Sequence, residues 1–189
     1  MRIRRALLAA TAPLIAACST VTPAMPGVHE RTPAPATGAD GAAASVPTAP
    51  PSADRAHVLH VTDGDTIVLR GIAVGEIHAA TGGRKARLIG VDTPEVFGGA
   101  ECYGREASAF TERELERRDV LVDYDVGRLD RYGRALIYVW DDEGFFNGRL
   151  AREGYALQMT VPPNVRYAGL FTDLVREARL ASRGLWAGC

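Results

Sequence analysis

Residues 87–95 of the 189-residue chain read RLIGVDTPE. Leu88, Ile89 and Val91 are residue types of a buried strand. Pro94, with no backbone N–H and a fixed φ, ends the ladder and begins a turn. A third strand over residues 85–91 follows, carrying Arg87 and delivering Asp92 and Glu95 to the turn at its end. Carboxylates held close together raise each other's pKa unless a cation or hydrogen bonds keep them ionised. Such a cluster is either a solvated turn or a site, and this segment alone allows both.

Upstream, residues 57–62 and 65–70 flank Asp63-Gly64, so HVLHVTDGDTIVLR reads as two strands joined by a tight turn. Residues 71–84, with Gly71, Gly75, Gly82 and Gly83, read as a connecting loop. Downstream, residues 96–101 form a glycine-containing loop. Residues 103–118 form a helix with Ala107, Phe110 and Leu115 on one face and dense charge on the others. DVLVDYDV at 119–126 alternates, placing Val120, Val122, Tyr124 and Val126 on one side of a strand with one wet face. RALIYVW at 134–140 is apolar on both faces, as a central strand should be. Residues 147–155 form a short helix, and Pro162-Pro163 breaks the chain. Tyr167, Leu170, Phe171, Leu174 and Ala178 then mark an amphipathic helix stopping at Arg183-Gly184. Five strands, with one helix after the third and helices after the fifth, fit an α+β fold dominated by β. The expected fold is a five-stranded Greek-key barrel of the OB-fold class with about three helices. Spacing by itself leaves other α+β folds open.

The ends are unlike the middle. Arg2, Arg4 and Arg5 followed by an apolar run to Ala17 make residues 1–17 a signal peptide, too short to span a bilayer comfortably. The ending Ile15-Ala16-Ala17-Cys18 resembles the lipobox of bacterial lipoproteins, which implies a lipidated Cys18 and a membrane anchor. An ordinary secretory signal cleaved nearby is the alternative; either way the protein is expected to be exported, as an envelope lipoprotein or secreted. Residues 18–55, rich in Pro, Ala, Thr and Gly, read as a disordered tether, and residues 56–189 as the folded domain. Removing residues 1–17 takes away three arginines and no acid, leaving 19 basic against 23 acidic residues, a charge of −4. That balance excludes a protein that coats duplex DNA through bulk charge. With Cys18 assigned to lipid, Cys102 and Cys189 are an even pair, expected to form a disulfide contributing roughly 2–5 kcal/mol. His29, His57, His60 and His78 show no zinc-ligand spacing with these cysteines.

Asp63-Gly64-Asp65-Thr66 and Asp130-Arg131-Tyr132-Gly133-Arg134 each have a bland reading as turns, and the later acids of an EF-hand are absent. In order, however, VTDGDTIVLR, ARLIGVDTPE, CYGREASAF, DRYGRALIYVW and LAREGYA closely resemble the staphylococcal-type thermonucleases over residues 58–186. The resemblance implies a calcium-dependent phosphodiesterase on an OB-fold, acting on DNA and RNA and expected to be a monomer. It would show little sequence preference and leave 3′-phosphates. Carried over position by position, Asp65 and Asp92 would ligate Ca²⁺ through carboxylates and Thr93 through its backbone carbonyl. Glu95 would be general base or water-positioner, and Arg87 and Arg134 would grip the phosphate beside Tyr132. Asp63 and Thr66 would support that set from behind. Calcium takes oxygen ligands at about 2.3–2.6 Å, and arginine's paired donors suit phosphate oxygens better than a lysine's point charge.

Departures from the family pattern bear on the nucleotide pocket. LQMTVPPN at 157–164 carries no aromatic, where the family has aromatic residues that help form the nucleotide pocket; stacking on an aromatic ring generally contributes about 1–3 kcal/mol per base. The loop at 98–101 lacks the family's lysines and leads into Cys102, and the loop at 71–84 is longer. The alternative reading is a catalytically weak OB-fold module that binds nucleic acid or protein on the cell envelope.

Overall fold

The structure, a computed structural model, describes residues 45–96, 98–99 and 101–189. The expected signal peptide, Cys18 and most of the tether lie outside the described residues. Strands β1 (Asp54–Asp63), β2 (Thr66–Arg70), β3 (Arg84–Leu88) and β4 (Gly90–Asp92) come first, followed by helix α1 (Gly104–Leu115). Next are β5 (Asp119–Asp123), β6 (Ala135–Asp141), the short β7 (Gly144–Phe145) and α2 (Phe146–Arg152). The chain ends with β8 (Leu157–Met159), α3 (Ala168–Leu180) and the single turn α4 (Leu185–Gly188).

Five strands close a mixed barrel in the order β1–β2–β3–β6–β5 and back to β1. All contacts round it are antiparallel except β3–β6, where Arg87 lies opposite Leu136 and Leu88 opposite Ile137. This is the expected OB-fold architecture, mostly strand, with three helices of more than one turn among the described residues. Val58, Ile67, Leu69, Leu88, Val122, Ile137 and Val139 fill the barrel, each fully buried. Phe110 and Leu115 of α1, Phe146 and Leu150 of α2, and Phe171 and Leu174 of α3 extend the same core. Each such side chain stabilises by about 1.5–3 kcal/mol.

Several boundaries differ from the sequence reading. In β1 the inward face passes from Val58 to Val61, a spacing that strict alternation forbids. An irregularity in register between Val58 and His60 accommodates it. The expected strand 85–91 is two strands: the barrel ladder ends near Ile89, and Gly90, at φ +87°, turns the chain out to pair with β8. The ring of Phe171 sits where a Gly90 side chain would be, so the position admits only glycine. The alternation of 119–126 survives only to Tyr124. Val126 is 75% exposed, because the Asp125 carboxylate is held by the Tyr138 hydroxyl and the Arg166 N–H, both at 3.0 Å. The last long helix ends at Leu180, and Gly184, at φ +55°, leads into α4. Upstream, the fold begins before residue 56: β1 starts at Asp54, Val46 and Ala49 pack on the core, and the buried Trp140 indole donates to the Pro47 carbonyl at 2.9 Å.

Asn147, fully buried in the first turn of α2, links this helix to the barrel. Its Oδ1 accepts the Val139 N–H at 2.9 Å, and its Nδ2 donates to the Ile89 and Ile137 carbonyls at 3.0 and 3.2 Å. Asn147→Ala is expected to destabilise by about 3 kcal/mol, since each buried polar group left unpaired costs about 1–3 kcal/mol. A urea titration reads this as a lower midpoint with an unchanged slope. A midpoint equal to the parent's would show that these bonds contribute nothing.

Candidate active site

The turn between β1 and β2 places Asp65. Thr111 of α1 donates its hydroxyl to the Gly64 carbonyl at 2.6 Å, and the Asp65 N–H donates to Asp63 Oδ1 at 3.2 Å. Gly64 lies against the Thr93 side chain, where a Cβ would stand 2.8 Å from it, so glycine is required by close approach. The Asp65 carbonyl accepts the Leu88 N–H at 2.8 Å, tying the turn to β3. Asp65 is thereby held with 1% of its surface exposed.

Four groups meet there. Thr93 donates both its backbone N–H (2.8 Å) and its hydroxyl (3.1 Å) to Asp65 Oδ2. Arg87, opposite Thr66 across β2–β3, places Nη1 2.5 Å from Asp65 Oδ1 and Nη2 2.5 Å from Asp92 Oδ1. Its Nη2 also donates to the Val91 carbonyl at 3.3 Å. One guanidinium thus bridges a buried and a half-exposed carboxylate, and the Gly90 turn is what brings Asp92 back to it. Burial pushes the Asp65 carboxyl up to about 7; Arg87 and the Thr93 hydrogen bonds oppose the shift, and Asp63 adds to it.

Arg134, at the edge of β6, joins through Thr66, whose hydroxyl donates to Asp65 Oδ1 at 3.2 Å and accepts from Arg134 Nη1 at 3.4 Å. Asp130 aims this arginine: its Oδ2 accepts from Arg134 Nε at 2.7 Å, and its Oδ1 accepts the backbone N–H groups of Tyr132 and Arg134, each at 2.9 Å. Burial acts to raise the Asp130 carboxyl, but those bonds outweigh it and hold the group below the usual carboxylate range. Tyr132, 60% exposed, presents its ring to Arg134 at 5.6 Å and to Arg131 at 4.7 Å.

Asp65, Arg87, Asp92 and Thr93 are therefore in direct contact, and Arg134 and Tyr132 adjoin them. Glu95 is exposed, and the hydrogen bonds of its backbone run to Glu101. Sequence reasoning missed Thr111, Asn147 and the aiming role of Asp130. A threonine on the apolar face of a charge-dense helix, and an Asp four residues before an Arg across a Tyr-Gly turn, were the available signals. Leu157, Met159 and Val161 are exposed on or just beyond β8, with Met159 Sδ 3.9 Å from Arg87 Nη2, so the stretch without aromatics borders the site. Cys102 and Cys189 are disulfide-bonded, with Cα atoms 6.0 Å apart.

The donor set suits a hard cation. Two carboxylates converge on one positive group, one of them buried at a cost that Arg87 and the Thr93 hydrogen bonds offset in part. No group of three or more His, Cys, Asp or Glu converges among the described residues, so backbone oxygen, water or substrate would complete the shell of such an ion.

Known proteins are similar to this chain in sequence. The chain is 36% identical to the thermonuclease of Staphylococcus hyicus over 133 residues, which is 69% of this chain and 74% of that protein. It is 38% identical to the thermonuclease of Staphylococcus intermedius over 132 residues, 68% of this chain and 74% of that protein. An SPbeta prophage-derived endonuclease of Bacillus subtilis is 30% identical over 106 residues, 53% of this chain and 36% of that protein. Residues 85–188 match the family described as staphylococcal nuclease homologue, and the chain belongs to that family.

Proposed function

We propose that this chain is a calcium-dependent nuclease that hydrolyses phosphodiester bonds of DNA and RNA with little sequence preference, leaving 3′-phosphates. The observation that carries the reading is the bridge from Arg87 to Asp65 and Asp92, both contacts at 2.5 Å, with Arg134 joined through Thr66. Asp65, Asp92 and the Thr93 carbonyl would hold Ca²⁺. When bound, the ion supplies positive charge that keeps these acids ionised and neutralises a phosphate oxygen. The chain's own groups do the rest. Arg87, released from the two carboxylates, and Arg134, aimed by Asp130, donate to the oxygens on which negative charge concentrates as the phosphorus becomes five-coordinate. Donors fixed in this way are worth about 2.7–4 kcal/mol each in comparable sites. Glu95 takes a proton from the attacking water or orients it. The new P–O bond forms opposite the 5′-oxygen as the bond from phosphorus to that oxygen breaks; the 5′-oxygen takes a proton from solvent to leave as the hydroxyl, and the phosphate stays on the 3′-oxygen of the other product. Tyr132 faces the nucleotide, and the aliphatic edge at Leu157, Met159 and Val161 limits base preference because it offers no ring to stack on.

We further propose that the protein acts as a monomer outside the cytoplasm, exported by residues 1–17 and held at a membrane through lipid on Cys18. The net charge of −4 after removal of residues 1–17 suits local rather than bulk contact with nucleic acid.

Digestion of single-stranded DNA, duplex DNA and RNA, each with calcium, magnesium or EGTA, tests the reading. Calcium-dependent loss of all three substrates is expected; binding without turnover under every condition would assign the chain to the non-catalytic modules. Arg87→Ala is expected to lower kcat by about 10²–10³-fold, the scale for removing one preorganised donor. The pH dependence of calcium-free stability follows from Asp65. A carboxyl whose folded pKa is raised binds more protons folded than unfolded, so stability falls as pH rises from about 4 to about 7. Asp65→Asn is expected to flatten that slope, read from thermal melts across pH in EGTA, and an unchanged slope would locate the titration elsewhere.

A further inference from the structure

Glu95 is held differently from the rest of the site. Asp65, Arg87 and Thr93 are fixed by the barrel turn, by β3 and by one another. Glu95 lies beyond the end of β4 and is fixed by residues 101–104. Its N–H donates to the Glu101 carboxylate at 3.0 Å, and the Glu101 N–H donates to its carbonyl at 2.9 Å. Gly104 donates its N–H to the Glu101 carbonyl at 3.1 Å and sits so near the Glu95 carbonyl that a Cβ would stand 2.6 Å from it.

Within this clamp lie Cys102 and Tyr103. Tyr103, at φ +71°, adopts left-handed backbone that side-chain-bearing residues rarely enter, and such a conformation persists only where its surroundings hold it. Two attachments hold it. The Tyr103 ring stacks on Tyr155 at 5.7 Å, and Cys102 is bridged to Cys189. The C-terminal turn that carries Cys189 is itself fastened, with the Leu185 N–H donating to the Gly154 carbonyl at 2.9 Å and the Cys189 N–H to the Leu185 carbonyl at 3.1 Å. Both cysteines are exposed, so a soluble reductant reaches the bridge.

Resting on the nuclease reading, we propose that the Cys102–Cys189 disulfide is a positioning element for Glu95, so that turnover depends on the bridge being closed while metal and substrate binding do not. Opening it needs a reductant, here a dithiol. The S–S bond breaks, each cysteine gains one proton and one electron, and the dithiol closes to its cyclic disulfide. Glu101 and Tyr103 then lose one of the two attachments that keep Glu95 beside the attacking water. The barrel-borne groups keep their contacts. A chain still in a reducing compartment would bind nucleic acid but turn over slowly until export oxidises it.

The test compares the purified full chain, oxidised and after dithiothreitol, with thiols counted and circular dichroism confirming folding at the assay temperature. Reduction is expected to lower kcat on single-stranded DNA by about 10–100-fold, the scale of a displaced catalytic group, with KM and the calcium requirement unchanged. Reoxidation restores the rate. Glu101→Ala, which loosens the clamp with the bridge intact, is expected to reproduce the kcat loss. In Glu95→Gln, reduction is expected to cause no further loss, because both changes act through one group. Reduced, folded protein with unchanged kcat, or a reduction effect of equal size in Glu95→Gln, overturns the proposal. An oxidised protein that hydrolyses nothing overturns the nuclease reading and this proposal with it; oxidised and reduced forms that turn over alike overturn this one alone.

Discussion

Burying an ionised carboxylate is among the costliest things a small barrel can do, and the arrangement around Asp65 answers that cost group by group. One oxygen takes the Thr93 N–H and hydroxyl; the other takes Arg87 and the Thr66 hydroxyl. Each partner arrives from a different element. Thr66 begins β2, Arg87 is in β3, and Thr93 follows β4. Satisfying Asp65 therefore fixes the relative placement of three strands at one end of the barrel. Arg87 extends the network to Asp92, and Thr66 extends it to Arg134. The carboxyl is still pushed upward, because desolvation outweighs the opposing Arg87 charge and Thr93 hydrogen bonds.

The site is built to two standards of rigidity. Asp65, Arg87 and Thr93 sit on or against the closed barrel, whose antiparallel and parallel pairings leave little freedom at Leu88 and Arg87. Arg134 is at the barrel edge and is steered by the Asp130 carboxylate, which accepts two hydrogen bonds from it and a third from the Tyr132 N–H. Glu95 is carried by a loop clamped at Glu101 and Gly104, next to a covalent bridge. Charge placement belongs to the barrel, and placement of the proposed base belongs to the loop.

Much of the barrel was legible because each element obeyed a local rule. Asp-Gly between apolar runs gave the first hairpin; clean alternation gave β5 up to Tyr124; two-sided apolarity gave β6. Where the expectation slipped, a longer-range contact had overridden the local pattern. Phe171 claims the space at Gly90 and splits the third strand. Asp125, taken by Tyr138 and Arg166, ends the alternation that would have buried Val126. Trp140 finds its acceptor at Pro47 in a stretch whose composition reads as a tether.

The residue types that phosphodiester chemistry would use, and their order along the chain, were determined by the sequence alone: Asp65, Arg87, Asp92, Thr93, Glu95, Tyr132 and Arg134 stand in three short motifs. Their meeting was not, because contacts between residues tens of positions apart depend on barrel closure, which no local period encodes. Only the tertiary structure decided that Arg87 bridges two carboxylates, that Thr111 and Asn147 hold turn and helix to the barrel, and that Glu95 is clamped from Glu101. The physical reason is that a buried polar group is specified by the partners that satisfy it, and those partners are fixed only when the strands have paired.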